Sequence, residues 1–152
     1  MRLREWNYKE GEFSYGQRIA VGEILTNADL TWYQRLKACW RELYGWNARL
    51  MPPRMRIRRF DRMTEGLHYW VELEERTLNY KPTDQEQKAG LMRLNEEVGH
   101  MGTIKALAEK FGTDPDVILT WQWGKVYGIL HADLKEAEYH QRLTEQARKS
   151  RR

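Results

Sequence analysis

Apolar positions recur every three or four residues along most of this chain, which is the spacing that puts one apolar face on a helix. From Ser14 onward, Ile19, Ile24 and Leu25, with Ala20 and Val21 between them, form a first stripe that ends near Thr26 and Asn27. Asp29 or Thr31 supplies the cap of a second helix, in which Trp32, Leu36, Cys39, Trp40 and Leu43 fall three and four apart before Gly45 stops it. A connector follows from Trp46 to Pro53. The spacing of Ile57, Phe60, Met63, Leu67, Trp70 or Val71, and Leu78 then predicts a long third helix from about Arg54 to Leu78, with only Gly66 against it. Pro82 ends that segment, and Thr83 with Glu86 three positions on makes a capping box for a fourth helix carrying Leu91, Leu94 and Val98.

Gly99 and Gly102 punctuate the next stretch. Thr103 to Phe111 reads as a compact helix with Ile104, Leu107, Ala108 and Phe111 inward, closed by Gly112. Pro115 sits in the first turn of the next helix, whose apolar side is Val117, Ile118, Trp121, Val126 and Leu130. Asp133 caps a final helix through Leu134, Ala137, Tyr139 and Leu143. Almost no segment alternates with the period of two that half-buried strands need, so the fold class is all-α: an irregular bundle of six or seven helices. Leu3, Trp6 and Tyr8 lack a helical period. The expected layout is an extended N-terminal arm over residues 1–12, one helical domain over 13–145 and a frayed basic tail over 146–152. The expected common core holds Trp40, Leu43, Phe60, Leu67, Trp70, Leu107, Phe111 and Val117.

Length and composition limit what such a domain can be. The chain has 152 residues, enough for one domain. Seven Trp, eight Tyr and three Phe give it the large apolar surfaces that a core requires and a disordered chain lacks. No apolar run reaches the roughly 20 residues of a membrane span, and the start lacks the apolar stretch of a signal peptide, so the expected location is the cytoplasm. Charge is unevenly spread. Residues 1–62 carry 13 basic and 7 acidic side chains, residues 63–140 carry 8 and 14, and residues 141–152 carry 5 and 1. Arg49, Arg54, Arg56, Arg58, Arg59 and Arg62 crowd around Pro52 and Pro53. Two readings of this basic patch stand: a phosphate or acidic-partner site, or a solvated surface whose arginines pair with the acidic middle.

Candidate chemistry is sparse. His68, His100, His131 and His140 are never three or four apart, so no metal site forms by local spacing, and the single Cys39 lies on an apolar stripe as a small hydrophobe. Adjacent carboxylates at Glu74 and Glu75 or Glu96 and Glu97 do not face each other on a helix, while Asp114 and Asp116 suit the positive end of one. There is no nucleophile elbow and no phosphate-binding glycine pattern. The expectation is a protein without catalytic residues, metal or cofactor. Thr103 to Trp121 has a helix-turn-helix outline, but its second helix offers Asp114, Asp116, Val117, Ile118, Leu119 and Trp121, acidic or apolar where a groove reader needs basic and amide groups. Trp121, Trp123, Val126, Tyr127, Ile129 and Leu130 crowd more apolar surface into ten residues than one stripe can hide. They are either a helix surrounded on all sides or, with Trp46, a face that meets another protein.

The run from Gly112 through Pro115, Val117, Ile118 and Trp121, followed by Gly124, Tyr127, Gly128, Leu130, Asp133, Tyr139 and Arg142, resembles the tail assembly chaperones of tailed bacteriophages and prophages. So does the start of the helical region near Phe13, Tyr15 and Gly16. The resemblance implies a non-enzymatic protein that binds the tape measure protein during tail assembly, often as a homo-oligomer, in the cytoplasm of a bacterial host or with the virion. It implies no catalytic residues. Trp46, Trp121, Trp123 and Tyr127 are the expected partner-binding residues. The Arg49 to Arg62 cluster has no counterpart in that resemblance and keeps open an alternative role in DNA binding, virion structure or packaging.

Overall fold

Two helices begin with the same device. In the computed structural model, which describes residues 8–45, 51–78 and 98–149, the hydroxyl of Ser14 accepts the Gln17 N–H while the Gln17 side-chain oxygen accepts the Ser14 N–H, both at 3.1 Å. This closes α1, Tyr15–Thr26, at its N-terminus. Thr31 and Gln34 repeat the exchange at the start of α2, Trp32–Tyr44, so Thr31 rather than Asp29 is the cap. Pro53 opens α3, Pro53–Thr77, where a missing N–H costs nothing. Then follow α4, His100–Phe111, a short α5, Pro115–Thr120, and a long α6, Trp123–Lys149. Among the described residues there are six α-helices and no strand, in keeping with the all-α class. The expected fourth helix from Thr83 lies outside the described residues.

Of the stretch expected as an extended arm, residues 1–7 lie outside the described residues, and residues 8–10 are not extended. Tyr8–Glu10 form a 3-10 turn, and Gly11 leaves it with a positive φ of 66°. Residues 11–15 then run antiparallel to residues 121–124. The Tyr15 N–H donates to the Trp121 carbonyl at 2.8 Å, and in return the Trp123 N–H donates to the Phe13 carbonyl at 2.8 Å and the Gly124 N–H to that of Gly11 at 3.2 Å. Two of the orphan donors at the start of α6 are thereby satisfied by the other end of the chain.

That pairing also corrects the expected layout of the C-terminal half. One helix was expected through Trp121, with a new one capped by Asp133. Instead the chain breaks at Trp121, whose extended conformation lets its carbonyl turn to Tyr15, and α6 runs unbroken past Asp133. Asp133 meets the Lys110 ammonium on α4 at 2.5 Å instead of capping. Helix continues as far as Lys149, and residues 150–152 of the expected basic tail lie outside the described residues.

The core is an aromatic cluster around α3. Trp70 lies edge-on to Trp123 and Tyr127, with ring centres 6.1 and 5.1 Å away, and Tyr15 stacks on Trp123 at 5.1 Å. Gly66, the one residue against helix in α3, has a packing reason: Tyr8 lies where a Cβ would go. Trp40, Leu43, Phe60, Leu67, Trp70 and Leu107 are buried as expected, but Phe111 and Val117 are 47% and 43% exposed. Ile118, fully enclosed, holds α5 to the core in their place.

Candidate functional site

Helix α2 has more apolar surface than it can bury. Leu36, Cys39, Trp40 and Leu43 face the core, whereas Trp32 is 54% and Tyr33 57% exposed. Side by side in the first turn, two large rings cannot both turn inward. Tyr33 continues as a row with Lys37 and Arg41 at steps of four, and the Lys37 ammonium lies 4.3 Å from the Tyr33 ring centre. Across from this row the first turns of α3 present Pro53, Arg56 and Ile57. Between them lies an open groove of about 880 Å³ with Leu36 and Trp40 in its lining. Trp32 reaches α3 through an edge-on contact with Phe60 at 5.9 Å.

The arginine cluster divides into two kinds of residue. Arg56 donates from Nε to the Met51 carbonyl at 2.7 Å, and Arg59 is half-buried with its guanidinium 5.9 Å from the Tyr44 ring centre. Arg54, Arg58 and Arg62 stand exposed one turn apart along α3. Among the described residues none of Lys37, Arg41, Arg54, Arg58 and Arg62 forms an ion pair, so the expected pairing with the acidic middle of the chain is not found for them. Arg49 lies outside the described residues, as does Trp46.

The other expected partner-binding residues are drawn into packing. Trp123 is buried in the aromatic cluster, and Val126 is fully enclosed. Tyr127 is half-buried, shares a 2.8 Å hydrogen bond with the Thr77 hydroxyl and stacks on His131. Trp121 sits against the edge of Phe111 at 5.2 Å and carries the Lys125 ammonium at 3.7 Å. The helix surrounded on its sides is therefore the correct reading for Trp123 and Val126. Burial wins there because residues 11–15 cover the start of α6.

A second polar feature was invisible in the sequence. Arg18 on α1 pairs with Glu74 on α3 at 3.3 Å, with side chains only 14% and 25% exposed. Burial pushes the Glu74 carboxyl above its ordinary range, while the Arg18 guanidinium and the Trp123 indole hold it down in part. The Arg18 guanidinium also lies 6.0 Å from the Trp123 ring centre. Fifty-six positions separate the pair, so no local spacing signals it. It ties α1 to α3. Among the described residues no group of three His, Cys, Asp or Glu is placed to hold a metal ion, and no helix is long and apolar enough to cross a membrane.

Comparisons with protein-family models, with curated proteins and with solved structures find no match for this chain.

Proposed function

We propose that this protein is a non-enzymatic binding protein of the tail assembly chaperone kind, holding a phage tape measure protein during tail assembly. The observation that carries the reading is the open groove between α2 and α3, where Trp32, Tyr33 and Ile57 stand large and apolar in water beside buried Trp40. Exposed aromatic clusters of this kind are where binding energy concentrates. The partner comes from the resemblance of residues 112–142 to that family. Because Trp123 and Val126 are core, the contact surface of this reading is the groove rather than the 121–130 stretch.

A second reading has its own observation: Arg54, Arg58 and Arg62 form an exposed row with no ion pair among the described residues, which suits a nucleic-acid backbone. Co-expression with a tape measure protein followed by pull-down separates the two. Capture that survives high salt and is lost in Tyr33→Ala supports the chaperone. No capture, together with DNA retention that collapses on adding salt, supports the arginine row. Trp123→Ala is unsuitable as the binding variant, since it removes a core side chain.

A further inference from the structure

We propose that the groove between α2 and α3 seats one amphipathic helix whose flanks are acidic. This deepens the chaperone reading and rests on it only for the partner's identity. The groove walls come from two segments, residues 32–44 and 53–62, which together hold eight basic side chains and two acidic ones. Lys37, Arg41 and Arg56 line the groove, and Arg54 and Arg58 stand exposed on the same turns of α3. Between these cations the lining is hydrocarbon: Leu36, Trp40, Pro53 and Ile57.

An occupant must match both parts. Its apolar stripe has to replace water over Trp32, Tyr33 and Ile57, and residues at steps of three and four on a helix form such a stripe. Its flanks meet Lys37, Arg41, Arg54 and Arg58, which stand exposed and hydrated in the free protein. A neutral or basic helix would strip that hydration without return, whereas Asp or Glu on the flanks restores it as ion pairs. Each exposed pair is weak, so the charges act on choice and orientation of the partner more than on its affinity.

The same details disfavour a nucleic-acid strand in this groove. A base needs an open aromatic face to stack on, and Lys37 already takes one face of Tyr33. Leu36, Ile57 and Pro53 offer nothing to the polar edges of a base.

Fluorescence anisotropy with three labelled probes tests the proposal: a synthetic helix with leucines at i, i+3, i+4 and i+7 and glutamates on both flanks, the same helix with lysines for the glutamates, and a single-stranded oligonucleotide. The acidic helix is expected to bind at least about tenfold more tightly than the basic one. Tyr33→Ala should weaken it by a similar factor. Lys37→Glu with Arg41→Glu should reverse the preference, with circular dichroism unchanged because both residues are exposed. Equal binding of the two helices, a preference unmoved by the charge reversal, or displacement of the acidic helix by the oligonucleotide overturns the proposal. Pull-down of a tape measure protein by the same variants tells the two readings apart. Capture that the charge reversal leaves intact defeats the acidic-helix proposal and spares the chaperone; probe binding that follows the charge reversal, with no capture, does the opposite.

Discussion

The indole N–H of Trp70 donates a 2.6 Å hydrogen bond to the backbone carbonyl of Tyr8 inside the core. The bond holds the N-terminal 3-10 turn against the middle of α3, where Gly66 leaves room for the Tyr8 side chain. Trp70→Phe keeps most of the ring but leaves that carbonyl with only its 3.2 Å bond from the Gly11 N–H, so losing the indole bond should cost about 0.5–1.5 kcal/mol. Trp70→Ala also opens a cavity beside Trp123 and Tyr127 and should cost roughly 3–5 kcal/mol. Urea unfolding of both variants measures the difference; Trp70→Phe as stable as wild type would show that the hydrogen bond contributes nothing of its own, and equal losses would show the same of the ring packing.

Gly11 is required twice over. Its φ of 66° disfavours any side chain, and a Cβ there would lie 2.6 Å from the Gly124 nitrogen and 2.8 Å from Trp70 Cζ2. Gly112 has a similar φ of 59° but nothing within 4 Å of an added Cβ. Gly112→Ala should therefore cost only the left-handed penalty of about 1 kcal/mol, and Gly11→Ala roughly 2 kcal/mol or more. Thermal melts that rank the two alike would mean the close approach of Gly11 to Gly124 is easily relaxed.

Glu74 makes stability depend on pH. Because burial raises its carboxyl in the folded chain, the native state keeps this proton to higher pH than the unfolded state does. Its contribution is therefore greatest below the ordinary carboxylate value of about 4.3 and falls as pH rises through the raised value. Between about pH 4 and 7, wild type should lose more unfolding free energy with rising pH than Glu74→Gln does. Parallel curves for the two proteins would remove Glu74 from the account.

Cys39 is fully buried among apolar side chains, and burial pushes its thiol up to about 11. With almost no thiolate at neutral pH, it should react with a disulfide reagent only when the chain unfolds. Fast labelling of folded protein would contradict its place in the core.

Local signals carried the helices and missed what lies between them. Thr31, Gly45, Pro53, Gly112 and Pro115 all act at helix ends through the immediate backbone, so their positions were readable from the chain alone. The break at Trp121 was not, because the group that rewards it is the N–H of Tyr15, at the other end of the sequence. The same pairing turned Trp123 from a surface candidate into core. Trp32 failed the other way: its spacing matched the buried stripe, yet it begins the helix and overhangs the groove beside Tyr33. The Tyr33, Lys37 and Arg41 row was present at helical spacing all along, though spacing does not say which stripe a neighbouring helix will cover.

The pairing of Gly11, Phe13 and Tyr15 with residues 121–124 has a consequence during synthesis. A ribosome adds about 5–20 residues each second, so roughly ten seconds pass between the making of one side of this contact and the other. Through that interval Phe13 and Tyr15 have emerged without the indole of Trp123 to cover them, and the carbonyls of Gly11 and Phe13 wait for the N–H groups that open α6. Folding of this domain is thus completed after most of the chain has been translated, and a message cut short before residue 123 yields a chain whose aromatic core is left open to other surfaces.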